Sequence, residues 1–260
     1  MDKVNAMQNR MRWRCLCAYD GTNYAGWQKQ RSGDSVQNRI EDALSEIFKS
    51  SIRTVGAGRT DAGVHASGQV FHFDWNWKHD EQKLLNALHS KLPGDISPLF
   101  LKNVSPNFHA LRSAKGKCYK YRAVNGRAMP KDDRFCLSLK GRKLNVDAMR
   151  RASEHFIGRK DFSAFAASSG NREKENPVKI IWSFDILNKG NELNFVVKGS
   201  GFLYKMVRSM VGGLFEVGRG KIDEFDIEKI LLSRKRTEVV VSAPAKGLSL
   251  EKVYYRRPRL

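Results

Sequence analysis

The stretch Gly56-Ala57-Gly58-Arg59-Thr60-Asp61-Ala62-Gly63-Val64-His65-Ala66-Ser67-Gly68 carries the densest potential for chemistry in the chain. Its four glycines permit left-handed and tightly folded backbone that a Cβ would forbid. One acid, Asp61, sits among them, with Arg59 before it and His65 after it. Residue types alone allow two readings. Either Asp61 caps its own backbone in a glycine-rich turn, or a stiff loop presents one carboxylate to a substrate as nucleophile or base. Gly56-x-Gly58-x-x-Asp61 lacks the third glycine of a dinucleotide fingerprint, and no Gly-Lys-Ser/Thr follows a glycine loop. His65, His72 and His79 recur every seven residues but span loop and strand, so they share no face, and no metal site is expected there.

Arg208 is the second anomaly. It lies among Met206, Val207, Met210 and Val211, in a helical pattern with little polar face. Its neighbours one turn away are Tyr204, Lys205, Val211 and Gly212, so the helix itself offers no carboxylate. A guanidinium buried alone is costly, so Arg208 either snorkels to solvent or meets an acid from elsewhere. Asp61 is the natural tertiary partner. The third element is Lys115-Gly116-Lys117-Cys118-Tyr119-Lys120-Tyr121-Arg122. Strand geometry puts Lys117, Tyr119 and Tyr121 on one face and Lys120 and Arg122 on the other. Tyrosines beside cations suit unpaired bases and their phosphates; an ordinary strand with solvated lysines is the plain alternative.

The balance of the whole chain favours the nucleic-acid reading. Over 260 residues, 47 Lys+Arg against 27 Asp+Glu give a formal net charge of +20, the footprint of a polyanion binder. No apolar run approaches the ~18 residues that would span a bilayer, and no lipidation motif is present, so a membrane is not an expected partner. Cys15, Cys17, Cys118 and Cys136 form neither a C-x-x-C motif nor a disulfide framework. Reduced thiols in a cytoplasmic protein are the simplest account, with Cys15-x-Cys17 serving packing. Residues 1–10 are polar and lack a signal peptide's apolar core.

The elements that must position these residues follow from periodicity. Arg12–Tyr19 reads as a strand broken by Asp20-Gly21-Thr22-Asn23, followed by a polar loop with exposed aromatic character at Tyr24 and Trp27. Ser35 caps a helix with the stripe Val36, Ile40, Leu44, Ile47 and Phe48. Residues 52–57 form a short strand, the glycine loop follows, and Gln69–Trp75 is the next strand. Asp80 caps a second helix stopped by Pro93-Gly94, and a strand closes near 98–104. The order is β-α-β-β-α-β, the split βαβ pattern. The second half repeats it: a strand at 117–124, a helix at 146–156 opened by Asn145, and a hairpin of 180–187 with 192–198. Helices near 202–217 and 225–232 and a strand at 248–255 complete it. Residues 168–177 read as a polar surface loop. The expectation is an α+β protein of two ferredoxin-like, RRM-like halves with antiparallel sheets and a basic catalytic cleft between them. Its divisions are a disordered segment at 1–10, an N-terminal domain at 11–110 carrying the Asp61 loop, and a C-terminal domain at 111–260.

Several motifs together resemble the tRNA pseudouridine synthase A family. They are Tyr19-Asp20-Gly21-Thr22-Asn23-Tyr24-x-Gly26-Trp27-Gln28, Ser35-Val36-Gln37, Gly58-Arg59-Thr60-Asp61-Ala62-Gly63-Val64-His65 and Leu92-Pro93-Gly94-Asp95-Ile96. Phe108-His109-Ala110, Tyr119-x-Tyr121, Met206-Val207-Arg208-x-x-Val211-Gly212 and Ala243-Pro244-Ala245-x-Gly247-Leu248 extend the resemblance, in order, over nearly the whole chain. It implies a cofactor-free, metal-free isomerase, usually a homodimer, that converts uridine to pseudouridine in the tRNA anticodon arm. By position it makes Asp61 the catalytic aspartate, Tyr119 the tyrosine stacked on the target base, and Arg208 the basic partner. Two positions depart from the pattern: Leu111, before Arg112, and Ala166 stand where the family commonly has arginine.

The implied chemistry suits these residues. Isomerisation breaks N1–C1′, turns the base and rejoins it through C5, so the uridine must leave its stack, and Tyr119 can hold it face-on. Asp61 serves as nucleophile or as the base that starts elimination at the sugar; the residues leave both open. Arg59, Lys115, Lys117, Lys120 and Arg122 would take phosphates. The rival class is an RNA-binding module without chemistry. Such a module gains nothing from a lone acid facing phosphate. A two-metal nuclease is a weaker rival, since no acidic cluster is visible in the sequence.

Overall fold

The computed structural model describes residues 11–31, 33–168 and 175–257. The expected disordered segment at 1–10, and residues 169–174 of the expected surface loop, lie outside them. Ten strands and five α-helices are present among the described residues, and the fold is mixed α+β. Two compact units are formed: residues up to Ala114 together with Leu250–Arg256, and Lys115–Ser249.

The first unit runs β1 (Arg12–Tyr19), α1 (Val36–Phe48), β2 (Val55–Gly56), β3 (His65–Asp74), α2 (Glu81–Lys91) and β4 (Ile96–Val104). Its sheet order is β4-β1-β3, all antiparallel, with β2 antiparallel to the far half of β3. Alternation in β1 buries Trp13, Cys15, Cys17 and Tyr19, and α1 and α2 bury Val36, Ile40, Leu44, Leu84 and Leu88. Ser35 caps α1 by accepting from the Asn38 amide, and Asp80 caps α2 by accepting from that of Lys83. All four cysteines are buried free thiols.

Two expectations for this unit are corrected. β3 begins at His65 rather than Gln69, because Gly68 is a point of close strand approach and not a breaker. A Cβ there would stand 2.1 Å from the Glu251 carbonyl oxygen on β10 (Leu248–Tyr254). Tyr24 and Trp27 are buried, not exposed. The Trp27 ring lies against Gly56, where a Cβ would meet its Nε1 at 2.3 Å.

The second unit runs β5 (Gly116–Val124), β6 (Leu137–Ser138), α3 (Val146–Glu154), β7 (Gly158–Asp161), β8 (Val178–Lys189), β9 (Glu192–Gly199), α4 (Met206–Gly218) and α5 (Asp226–Ser233). Its sheet order is β5-β9-β8-β7, antiparallel, with β6 parallel to β5. β6 and β7 are additions to the expected elements, whereas α5 is the helix expected near 225–232. The final strand begins here with Leu248 and Ser249 and continues in the first unit from Leu250. No described helix is long and apolar enough to cross a membrane.

Candidate active site

The loop carrying Asp61 is held by backbone and buried polar groups. The Trp27 amide donates to the Thr60 carbonyl at 3.1 Å, the Gly63 amide to the Tyr24 carbonyl at 3.3 Å, and the Val64 amide to the Asp61 carbonyl at 3.1 Å. The buried Thr60 hydroxyl meets the Tyr19 hydroxyl at 2.8 Å. Gln69 donates from Nε2 to the Gly58 carbonyl at 2.9 Å. Gly63 and Gly26 both take positive φ, 74° and 93°. At Gly26 a Cβ would lie 2.5 Å from the Thr60 oxygen, so glycine is required on both counts. Asp61 itself is half-buried, between buried Thr60 and exposed Ala62. Arg59 is exposed, and its Nε donates to the Gln28 side chain at 3.1 Å. His65 is buried, with Nδ1 3.1 Å from the Gly21 amide and 3.1 Å from an Asp20 carboxylate oxygen.

Phe108-His109-Ala110 forms a knot over the second face of β3. The Ala110 amide donates to Nδ1 of buried His72 at 3.2 Å, and the Ala110 carbonyl accepts from the Tyr255 hydroxyl at 2.9 Å. Arg12, paired with Asp74, also donates to the Pro106 and Phe108 carbonyls. Burial, then the positive charges of Arg12 and His109, push the His72 imidazole down to about 4. Leu111 is exposed, and the Arg112 amide donates to His109 Nδ1.

In the second unit, the tyrosines of β5 lie deeper than a surface stacking platform would. Tyr119 is 7% exposed and meets Phe202 edge-on at 5.2 Å. Tyr121 is fully enclosed by Phe195, Phe215 and Gly247. Apolar residues of α4 and β9 cover that face of the strand, which alternation alone does not reveal. Lys115 is exposed, and Lys117 and Lys120 are half-buried. Burial pushes the Lys117 ammonium down to about 8, against the pull of Glu175. Arg122 makes a two-pronged pair with Glu192, at 2.9 and 3.2 Å.

Arg208 stands in the first turn of α4, half-buried, with Nε donating to the Ala243 carbonyl at 2.7 Å while the Ala243 amide donates to the Arg208 carbonyl at 2.9 Å. The segment around Ala243 can lie so close because Gly212 has no side chain; a Cβ there would stand 1.7 Å from the Val241 oxygen. The Met-Val-Arg-x-x-Val-Gly and Ala-Pro-Ala-x-Gly motifs therefore describe one contact. Sequence reasoning missed Gln37 and Glu41, two polar groups buried on α1. Their signal was a Gln–Glu pair one turn apart beside an apolar stripe. Among the described residues, no group of three or more His, Cys, Asp or Glu is placed to hold a metal ion.

The first unit thus presents a half-buried acid on a glycine-shaped loop, in a chain whose net charge of +20 suits a polyanionic substrate. The sequence model of the tRNA pseudouridine synthase family matches residues 16–110 and 152–256, and the chain belongs to that family. It is 40% identical over 238 residues to tRNA pseudouridine synthase A of Thermoanaerobacter sp. (strain X514), covering 91% of this chain and 96% of that one. The Clostridium acetobutylicum protein of the same name is 41% identical (91% and 96% covered), and that of Exiguobacterium sp. 38% identical (95% and 98%). The chain is accordingly an isomerase of the pseudouridine synthase type. Among solved structures, a Cbf5-Nop10-Gar1 complex aligns with a TM-score of 0.33 and 10% identity, over 78% of this chain and 44% of that chain.

Proposed function

We propose that this enzyme isomerises uridine to pseudouridine in the anticodon stem-loop of tRNA, with Asp61 as the reacting carboxylate. The observation that carries this is the loop itself. Buried tyrosine, threonine and tryptophan groups and two obligatory glycines hold one acid half-exposed on a protein of net charge +20. An RNA-binding surface has no use for an acid so firmly presented to phosphate.

In this reading the target uridine is extruded and its base rests against Tyr119, backed edge-on by Phe202. Asp61 acts at the base or the sugar while N1–C1′ breaks and C5–C1′ forms, and the C5 proton leaves to solvent. Arg208, oriented through Nε by the Ala243 carbonyl, serves as the basic partner in the chemistry. Arg59, Lys115, Lys117 and Lys120 take backbone phosphates, and Arg122 joins them only by loosening its pair with Glu192. No cofactor or metal takes part, and the working form is a cytoplasmic homodimer. Each unit is read as a ferredoxin-like half, supported by the order β4-β1-β3-β2 in the first and β5-β9-β8 in the second.

Because C5 loses its hydrogen, tRNA carrying tritium at uridine C5 reports turnover as tritium released to water. Asp61→Asn keeps the shape of the side chain but removes its charge. It is expected to abolish release and to leave tRNA affinity equal or slightly higher. Release near the wild-type rate would remove Asp61 from the chemistry.

A further inference from the structure

Gln37 and Glu41 stand one turn apart on α1, beside the apolar stripe of Val36, Ile40 and Leu44, and both are buried. Gln37 spends its polar groups on the two segments that flank the Asp61 loop. Its Nε2 donates to the Thr54 carbonyl at 2.9 Å and to Glu41 Oε1 at 3.0 Å. Its Oε1 accepts from the Lys29 amide at 2.9 Å, and its own amide donates to the Trp27 carbonyl at 3.0 Å. Glu41 Oε1 accepts in addition from the Thr54 amide at 2.8 Å and the Thr54 hydroxyl at 3.2 Å, while Oε2 meets Lys29 Nζ at 2.9 Å.

Thr54 opens the segment 54–60 that leads to Asp61, and Trp27 holds the last residue of that segment through the 3.1 Å bond to the Thr60 carbonyl. Both ends of the segment are thus referred to one turn of α1. We propose that Gln37 and Glu41 are positioning residues that fix where the Asp61 carboxylate stands, acting through Thr54 and Trp27 without touching substrate. The inference rests on Asp61 being the reacting group. Burying two such side chains is costly, and the neighbouring Val36, Ile40 and Leu44 show that apolar residues fill this helix face elsewhere. A displacement of about 1 Å at a reacting group can cost on the order of a hundredfold in rate, which is reason enough to keep the cluster.

The geometry also fixes which substitution is tolerated. Three of the four bonds to Glu41 converge on Oε1, and Oε2 meets only the half-exposed Lys29. Glu41→Gln can keep the oxygen where it is needed; Glu41→Ala cannot. With the full-length chain and C5-tritiated tRNA, Glu41→Ala should lower kcat by about tenfold or more with KM within about twofold, and Glu41→Gln should stay within about threefold of wild type. Amide exchange over residues 54–64 should quicken by about tenfold in Glu41→Ala while β1 stays protected. Unchanged kcat in folded Glu41→Ala, a change in KM alone, equal losses in the Gln and Ala variants, or unchanged exchange would each overturn the proposal. If Glu41→Ala does not fold, Gln37→Met decides by the same split. Should the wild-type chain release no tritium, the functional reading falls, and the exchange measurement still decides whether the pair fixes the loop.

Discussion

Tyr121 shows how a residue can carry a cost that its neighbours explain. Its ring fills the space left by Gly247, where a Cβ would sit 2.5 Å from the ring, and it meets Phe195 and Phe215 edge-on. Among the described residues its hydroxyl finds no hydrogen-bond partner. A buried unpaired hydroxyl costs about 1–3 kcal/mol, so Tyr121→Phe should stabilise the protein by about 1 kcal/mol, or roughly 2–4 °C in melting temperature. A lower melting temperature would mean that the hydroxyl is satisfied by water. The neighbouring Tyr119, two residues along the same strand face, keeps slight exposure, so the two tyrosines that look equivalent in sequence part company in the fold. Arg122 teaches the same lesson for charge: on an alternating basic strand it reads as a phosphate ligand, yet Glu192 across the β5–β9 ladder already holds it.

At the scale of elements, the knot of Phe108–Ala110 on β3 couples folding to pH. The folded-state His72 lies near 4, below its ordinary value of 6.5, because burial and the charges of Arg12 and His109 disfavour the imidazolium. The unfolded chain therefore binds this proton more tightly. The contribution is fully present above about pH 6.5 and is lost as pH falls toward 4, amounting to on the order of 3 kcal/mol. Urea denaturation across that window should show the loss. His72→Gln, which keeps an acceptor for the Ala110 amide but does not titrate, should be weaker at pH 7 and flatter with pH; an equally steep loss in the variant would exonerate His72. Most elements were legible beforehand, because capping residues and apolar periodicity are local signals. Ser35 and Asp80 start their helices where the caps stand, and Pro93-Gly94 ends α2. What was not legible depended on distant chain. β3 reads as starting only at Gln69 until Glu251 is seen beside Gly68, and Trp27 reads as exposed until Gly56 gives it a bed. Gln37 and Glu41 read as a polar helix face until Thr54 and Lys29 arrive to meet them. Asp61 stood out without any structure, since a lone acid among glycines is a local pattern.

For the molecule as a whole, the excess of positive charge sets the terms of binding. With several Lys and Arg engaged on phosphates, log affinity for tRNA should fall with log salt at a slope of roughly 0.7–0.9 per phosphate neutralised. Affinity that stays level across a salt titration would contradict a phosphate-based grip. The path of the chain adds a different consequence. Glu251, which meets the Ser67 hydroxyl beside Gly68, and Tyr255, which ties down Ala110, are separated from those contacts by 184 and 145 positions. The unit that emerges first from the ribosome is therefore finished last. At the usual pace of synthesis, about 5–20 residues per second, β3 waits roughly ten to forty seconds for its closing neighbour. Through that interval its edge is open to pairing with any other nascent strand. Shielding during translation is thus a demand this topology makes of the cell, and a chain cut short before Leu250 would leave the unit bearing Asp61 permanently incomplete.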